Sequence, residues 1–145
     1  MKRSTLGLLT LTFATLAVGP VLAHHSFSAE YDSNKPVQIK GWVSKVEWMN
    51  PHVYFFIDVE DAAGNLTNWA CEMGPPNGLQ RSGWTKNTIK IGDELIVDGS
   101  LAKDGSKQIN ARTVTLAASG KRLGAASSQG QEKGAGKSNA RPKGQ

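Results

Sequence analysis

Apolar and polar side chains alternate along three consecutive stretches in the middle of the chain, with a period of two that predicts strands. Val43, Val46 and Trp48 mark the first stretch. Val53, Phe55, Ile57 and Val59 fall on one face of the second, and Trp69, Cys71 and Met73 on one face of the third. Asn50-Pro51 separates the first two, and Ala62-Ala63-Gly64-Asn65 separates the second from the third. Because each strand reverses the one before, the end of the first, the start of the second and the end of the third meet at one pole. That pole gathers Met49, His52 and Met73, with Asn50 and Arg81 within reach. Upstream, Val37, Ile39, Gly41 and Val43 alternate before the apolar positions change parity at Val46 and Trp48. A change of parity inside one long strand requires a bulge, expected at Gly41 or at Ser44-Lys45.

Downstream, Gly74-Pro75-Pro76-Asn77-Gly78 argues against any regular element, and Leu79 to Trp84 is expected to form one helical turn. A fourth strand runs from Glu94 to Leu101 with Leu95, Val97 and Leu101 apolar. Lys103-Asp104-Gly105-Ser106 turns the chain into a fifth strand, Gln108 to Leu116. Three strands, a short helical or irregular connector and a two-stranded hairpin follow the order of a small five-stranded OB-like β-barrel, so the expected class is all-β.

The ends of the chain differ from this centre. Lys2-Arg3, an apolar run from Leu6 to Val18 and Gly19-Pro20-Val21-Leu22-Ala23 have the charged, apolar and small-residue regions of an export signal. The apolar run is shorter than the roughly 20 residues a spanning helix needs. Residues 1–23 are therefore expected to be a signal peptide cut after Ala23. Export to the periplasm or beyond, with no transmembrane segment after cleavage and His24 as the new first residue, is the expected outcome. Residues 24–35, polar apart from Phe27 and Tyr31, are expected as an N-terminal arm on a domain spanning 24–120. Residues 121–145, rich in Gly, Ser, Lys and Gln, lack apolar periodicity and are expected to be a disordered basic tail.

Charge follows the same division. Residues 121–145 hold six basic residues and one acidic one, whereas residues 24–120 hold nine basic and eleven acidic ones. The formal net charge of +5 thus belongs to the ends, and the central domain lacks the basic surface that electrostatic binding of nucleic acid requires. The lone cysteine, Cys71, lies on an apolar strand face and is expected to be buried.

The stretches HHSFSAEYD, WMNPHVYFFIDV, NWACEMGPPNGLQRSGWT and KDGS resemble an uncharacterised family of small exported bacterial proteins whose mature chains begin His-His-Ser-Phe. The resemblance implies an exported domain of unknown function and carries no reaction with it.

Three histidines hold the candidate chemistry: His24 and His25 at the expected mature terminus, and His52 at the opening of the second strand. A free terminal amine and its own imidazole chelate one metal ion, and a second imidazole completes a three-nitrogen copper site. Met49 and Met73 would bias such a site toward Cu(I). Along a straight first strand, however, the arm and His52 lie at opposite ends, about 40 Å apart for 12 residues. The alternative is an adaptor that grips an envelope glycan or protein through an aromatic barrel face. Tyr54, Phe56 and Trp42 would form that face, with Asn50, Asn77, Arg81 and Trp84 in the flanking loops. No nucleophile elbow, zinc-protease or phosphate-loop signature occurs, and Asp58, Glu60 and Asp61 read as a solvated strand end. The expected protein is a non-catalytic binding or accessory domain.

Overall fold

The computed structural model describes residues 27–127. A short helix, α1 (Phe27–Glu30), leads directly into β1 (Tyr31–Glu47). Then come β2 (Tyr54–Glu60), β3 (Leu66–Glu72), α2 (Pro76–Arg81), β4 (Glu94–Ala102), β5 (Gln108–Leu116) and β6 (Arg122–Gly124). The strands hydrogen-bond in the order β3-β2-β1-β4-β5-β6, and β3 also pairs in parallel with β5. That last pairing closes β1, β2, β3, β5 and β4 into a ring, with α2 between β3 and β4: the expected OB-like barrel. No helix among the described residues is long and apolar enough to cross a membrane.

The inward and outward faces follow the alternation in the sequence. Val53, Phe55, Ile57, Cys71, Leu95 and Val97 are fully buried in one core, and burying each of the larger side chains contributes about 1.5–3 kcal/mol. The register between β1 and β2 slips between Val43 and Lys45, so Ser44 is the bulged residue. The slip flips the parity of β1, as the shift to Val46 requires. At Gly41, any Cβ would meet the carbonyl oxygen of Asp58, so only glycine allows the strands to approach there.

Three boundaries differ from expectation. The connector helix starts at Pro76 rather than Leu79, because a proline near the start of a helix loses no internal hydrogen bond. Strand β1 begins at Tyr31, within the expected arm. Tyr31 pairs with Ala102 and Pro36 with Ser100, while the polar residues between them bulge out. At the other end, residues 121–127 belong to the fold although the tail was expected to begin at 121. Leu123 pairs with Val114, the Ala125 N–H donates to the Arg112 carbonyl, and the Gly74 N–H donates to the Ala125 carbonyl. Gly74 leaves no room for a Cβ against the Ala126 carbonyl oxygen, and Trp84 donates its indole N–H to the Gly124 carbonyl at 2.8 Å. Backbone hydrogen bonds, the Trp84 indole and the apolar side chains of Leu123, Ala125 and Ala126 hold this strap. Such a segment has no apolar period to betray it.

Trp84→Phe leaves the Gly124 carbonyl without its indole donor and should cost about 1–3 kcal/mol, read as a lowered urea midpoint with an unchanged slope. An unchanged midpoint would show that the strap contributes nothing through Trp84. Burial pushes the Cys71 thiol well above its ordinary range. The native protein should therefore react slowly with a thiol reagent and the denatured protein at once; rapid stoichiometric labelling of the native form would invert the β3 facing.

Candidate functional site

Ring closure brings together side chains that are far apart in sequence. Glu72 ends β3 on the strand's outer face, between the core residues Cys71 and Met73. Its carboxylate is nonetheless only 3% exposed. The Ala62–Asn65 turn sets a hairpin register in which Tyr54 lies directly opposite Glu72. Tyr54 donates its hydroxyl to Glu72 Oε2 at 2.8 Å. Tyr31 donates to the same oxygen at 2.6 Å, from 41 positions away in the chain. His52 places Nδ1 2.8 Å from the other oxygen, Oε1. Gln108, at the start of β5, donates its side-chain amide to the Tyr31 hydroxyl.

Tyr31 of the arm and His52 thus share one carboxylate. A strand wound around a barrel returns its start toward the far end of its neighbours. Tyr31 pairs with Ala102 at the end of β4, β5 starts nearby, and Gln108 pairs with Ala70 beside Glu72. The straight-strand estimate separated the arm from His52 because it omitted the parallel closure of β3 on β5. Phe27 stacks on Tyr31 with ring centroids 5.8 Å apart, and Lys103 donates its backbone N–H to the Glu30 carbonyl, so the arm lies against the end of β4.

The electrostatics of the cluster are lopsided. Glu72 has three donors, yet among the described residues no lysine or arginine pairs with it. Two phenols and one imidazole therefore supply all its side-chain pairing, and the imidazole is the one of the three that can carry a positive charge. Burial raises the phenol pKa values of Tyr31 and Tyr54 well above their ordinary value, with the Glu72 hydrogen bond and charge adding to the effect. Both hydroxyls are therefore fixed as donors. His52 is 30% exposed on its side chain, and in the neutral ring an Nδ1–H that donates to Glu72 leaves the lone pair on Nε2.

The remaining predicted residues separate into groups. His24 and His25 lie outside the described residues. Met73 packs into the barrel core, while Met49 is 55% exposed, so the two thioethers do not converge on His52. Tyr54 and Phe56 do face outward, with Lys45 Nζ 5.2 Å from the Phe56 ring centroid. Trp42 remains 42% exposed at the opposite end of that face. Asn50, Asn77 and Arg81 are exposed, and Trp84 is buried beneath the strap. Among the described residues, no three His, Cys, Asp or Glu side chains gather to hold a metal. The reading of the sequence missed Glu72, Tyr31 and Gln108 as site residues; the signal for Glu72 was available, since counting back from the Ala62–Asn65 turn sets it opposite Tyr54.

Residues 13–111 match a family described as a family of unknown function (DUF6152). No curated protein matches the chain.

The chain has two tyrosines, and both belong to this cluster. Since each phenol is harder to ionise folded than unfolded, the stability it contributes is intact below pH 10. That contribution shrinks as pH climbs above 10, by up to about 1.4 kcal/mol per pH unit per tyrosine. Absorbance near 295 nm should show no tyrosinate in the native protein at pH 10.5, with both phenols ionising near their ordinary value in urea. Native titration of either tyrosine near its ordinary value would remove it from the cluster.

Proposed function

As the chain belongs to that family, which brings no activity with it, we propose its function from the cluster itself: an exported, non-catalytic binding protein of the periplasm that holds one copper ion through His24, His25 and His52. The observation that carries this reading is the Glu72–His52 pair. A carboxylate that accepts a hydrogen bond from the Nδ1–H of a histidine orients the ring and leaves Nε2 as a basic ligand, the usual outer partner of a metal-bound imidazole. A carboxylate on one ring nitrogen also raises the basicity of the other toward a metal.

Chain length supports the rest of the set. His25 precedes Phe27 by two residues, so its Cα lies within about 7 Å of Phe27, which stacks on Tyr31 of the same cluster. With Met73 in the core, the pair of thioethers that would select Cu(I) is not available, and the proposed nitrogen ligands suit Cu(II) better. The second reading, an adaptor for an envelope glycan or protein, draws on the exposed Trp42 beside the outward aromatic face.

Copper titration of the chain beginning at His24, under chelator competition, tests the proposal. One tight equivalent is expected. His52→Ala and an extra glycine ahead of His24 should each weaken it at least tenfold, and Glu72→Gln should weaken it by about 10–100-fold as the loss of an outer partner does. Affinity no higher than that of the His52→Ala variant would sink the copper site. Loss of glycan or partner retention on Trp42→Ala, with copper binding unchanged, would favour the adaptor.

A further inference from the structure

The outer face of the barrel carries a second organised group of side chains at the end away from Glu72. Trp42 on β1 lies opposite Asp58 on β2, and Asp58 lies opposite Asn68 on β3, so the three form one row across the strands. The Asn68 side-chain nitrogen donates to Asp58 Oδ1 at 2.7 Å and to Ser44 Oγ at 3.0 Å, and the Ser44 hydroxyl donates to the Phe56 carbonyl at 3.3 Å. Ser44 is the bulged residue of β1: β2 has no residue opposite it, and its hydroxyl reaches across that gap to the amide on β3. An amide held by two partners at once has a fixed direction for the oxygen it leaves unused. Among the described residues, Asn68 Oδ1 and Asp58 Oδ2 take no hydrogen bond. Two large apolar side chains flank these open acceptors: Trp42 is 42% exposed, and Leu66, two positions before Asn68 on the same face of β3, is 62% exposed.

We propose that Trp42, Asp58 and Asn68 form a sugar-binding site that takes one pyranose ring of a neutral, β-linked glycan. A pyranose with equatorial hydroxyls turns C–H groups outward from each side of the ring, and these slightly positive hydrogens suit the negative face of an indole. Its hydroxyls then lie around the rim, each able to donate and to accept. The two open acceptors come from neighbouring strands, whose spacing is roughly 5 Å, so they meet two hydroxyls of one ring. Charge favours a neutral ligand over a cation. Lys40 and Lys45 stand on either side of Trp42 along β1, paired with Glu94 and Glu47, and a cation approaching the indole meets both ammonium groups. The site deepens the second reading, the adaptor, by giving its glycan arm a set of residues. It is independent of the copper reading, because Asp58 lies four positions along β2 from Tyr54, roughly 13 Å.

Titration of the metal-free chain beginning at His24 with cellotetraose and with chitotetraose, the β-linked tetramers of glucose and N-acetylglucosamine, tests the site by NMR. A single ring on one indole binds weakly, with a Kd on the order of 1 mM, so the titration runs to about ten times that concentration. The Trp42 indole N–H and the Asn68 side-chain amide should both shift with at least one tetramer, while the buried Trp84 indole stays in place. Trp42→Ala should weaken binding at least tenfold, followed at the Asn68 amide, and Asp58→Ala and Asn68→Ala at least threefold each, followed at the Trp42 indole. All three side chains are on the outer face, and an unchanged urea midpoint in each variant separates lost binding from lost folding. No shift of the Trp42 indole with either tetramer, an affinity that is the same in all three variants, or an equal shift produced by choline would overturn the proposal. Glu72→Gln should bind the tetramer as the unaltered chain does while copper binding weakens, so the sugar site and the copper site fail separately.

Discussion

The buried carboxylate of Glu72 is the constraint on which the rest of this molecule turns. A carboxylate removed from water is unfavourable by several kcal/mol unless its oxygens are matched. Here the matching groups come from the arm, the loop before β2 and β2 itself: Tyr31, His52 and Tyr54. None is a near neighbour of Glu72 in sequence. The hairpin register supplies Tyr54, and the closing pair of β3 on β5 brings in the start of β1. A barrel that failed to close would leave Glu72 buried beside an empty place or expose it, so the polar cluster and the ring of strands stabilise one another. Removing the carboxylate alone would strand three donors, a loss of about 3–5 kcal/mol by comparison with other broken buried pairs.

The proposed copper site rests on the same arrangement. The core beneath the cluster, from Val53 through Phe55 and Ile57 to Cys71, is dry and fully packed, so the strands that carry the site are rigid. The cluster stands on the outside of that wall, under an arm that enters as α1 and is fastened by Tyr31 and Lys103. Its imidazole is partly exposed, and its two phenols are locked as donors and so are poor ligands themselves.

Much of the barrel is legible in the sequence because its strands are half-buried and alternate. Phe55, Ile57 and Cys71 face inward as their spacing requires, Ser44 bulges where the parity of β1 changes, and β5 starts at Gln108 after an Asp-Gly turn. The parts that escaped depend on contacts between distant segments or on the backbone. Glu72 is a charged residue on an outward position, and nothing local says that Tyr31 will lie over it. The strap from Arg122 to Ala126 is held by carbonyls and N–H groups, with Leu123 as its one large apolar side chain. Met73 had the right pole and the wrong face as a ligand: its alternation with Cys71, which suits the core, turns its sulfur inward.

The central claim is that Glu72 accepts a hydrogen bond from the Nδ1–H of His52 and leaves Nε2 free to bind. The tautomer of the neutral imidazole reports this directly through its nitrogen-15 shifts and long-range proton couplings. The account predicts that, without metal, Nδ1 carries the proton and Nε2 has the shift of an unprotonated nitrogen, and that Glu72→Leu abolishes this preference. A neutral His52 protonated at Nε2 in the native protein would contradict it, because an unprotonated Nδ1 cannot donate to the carboxylate.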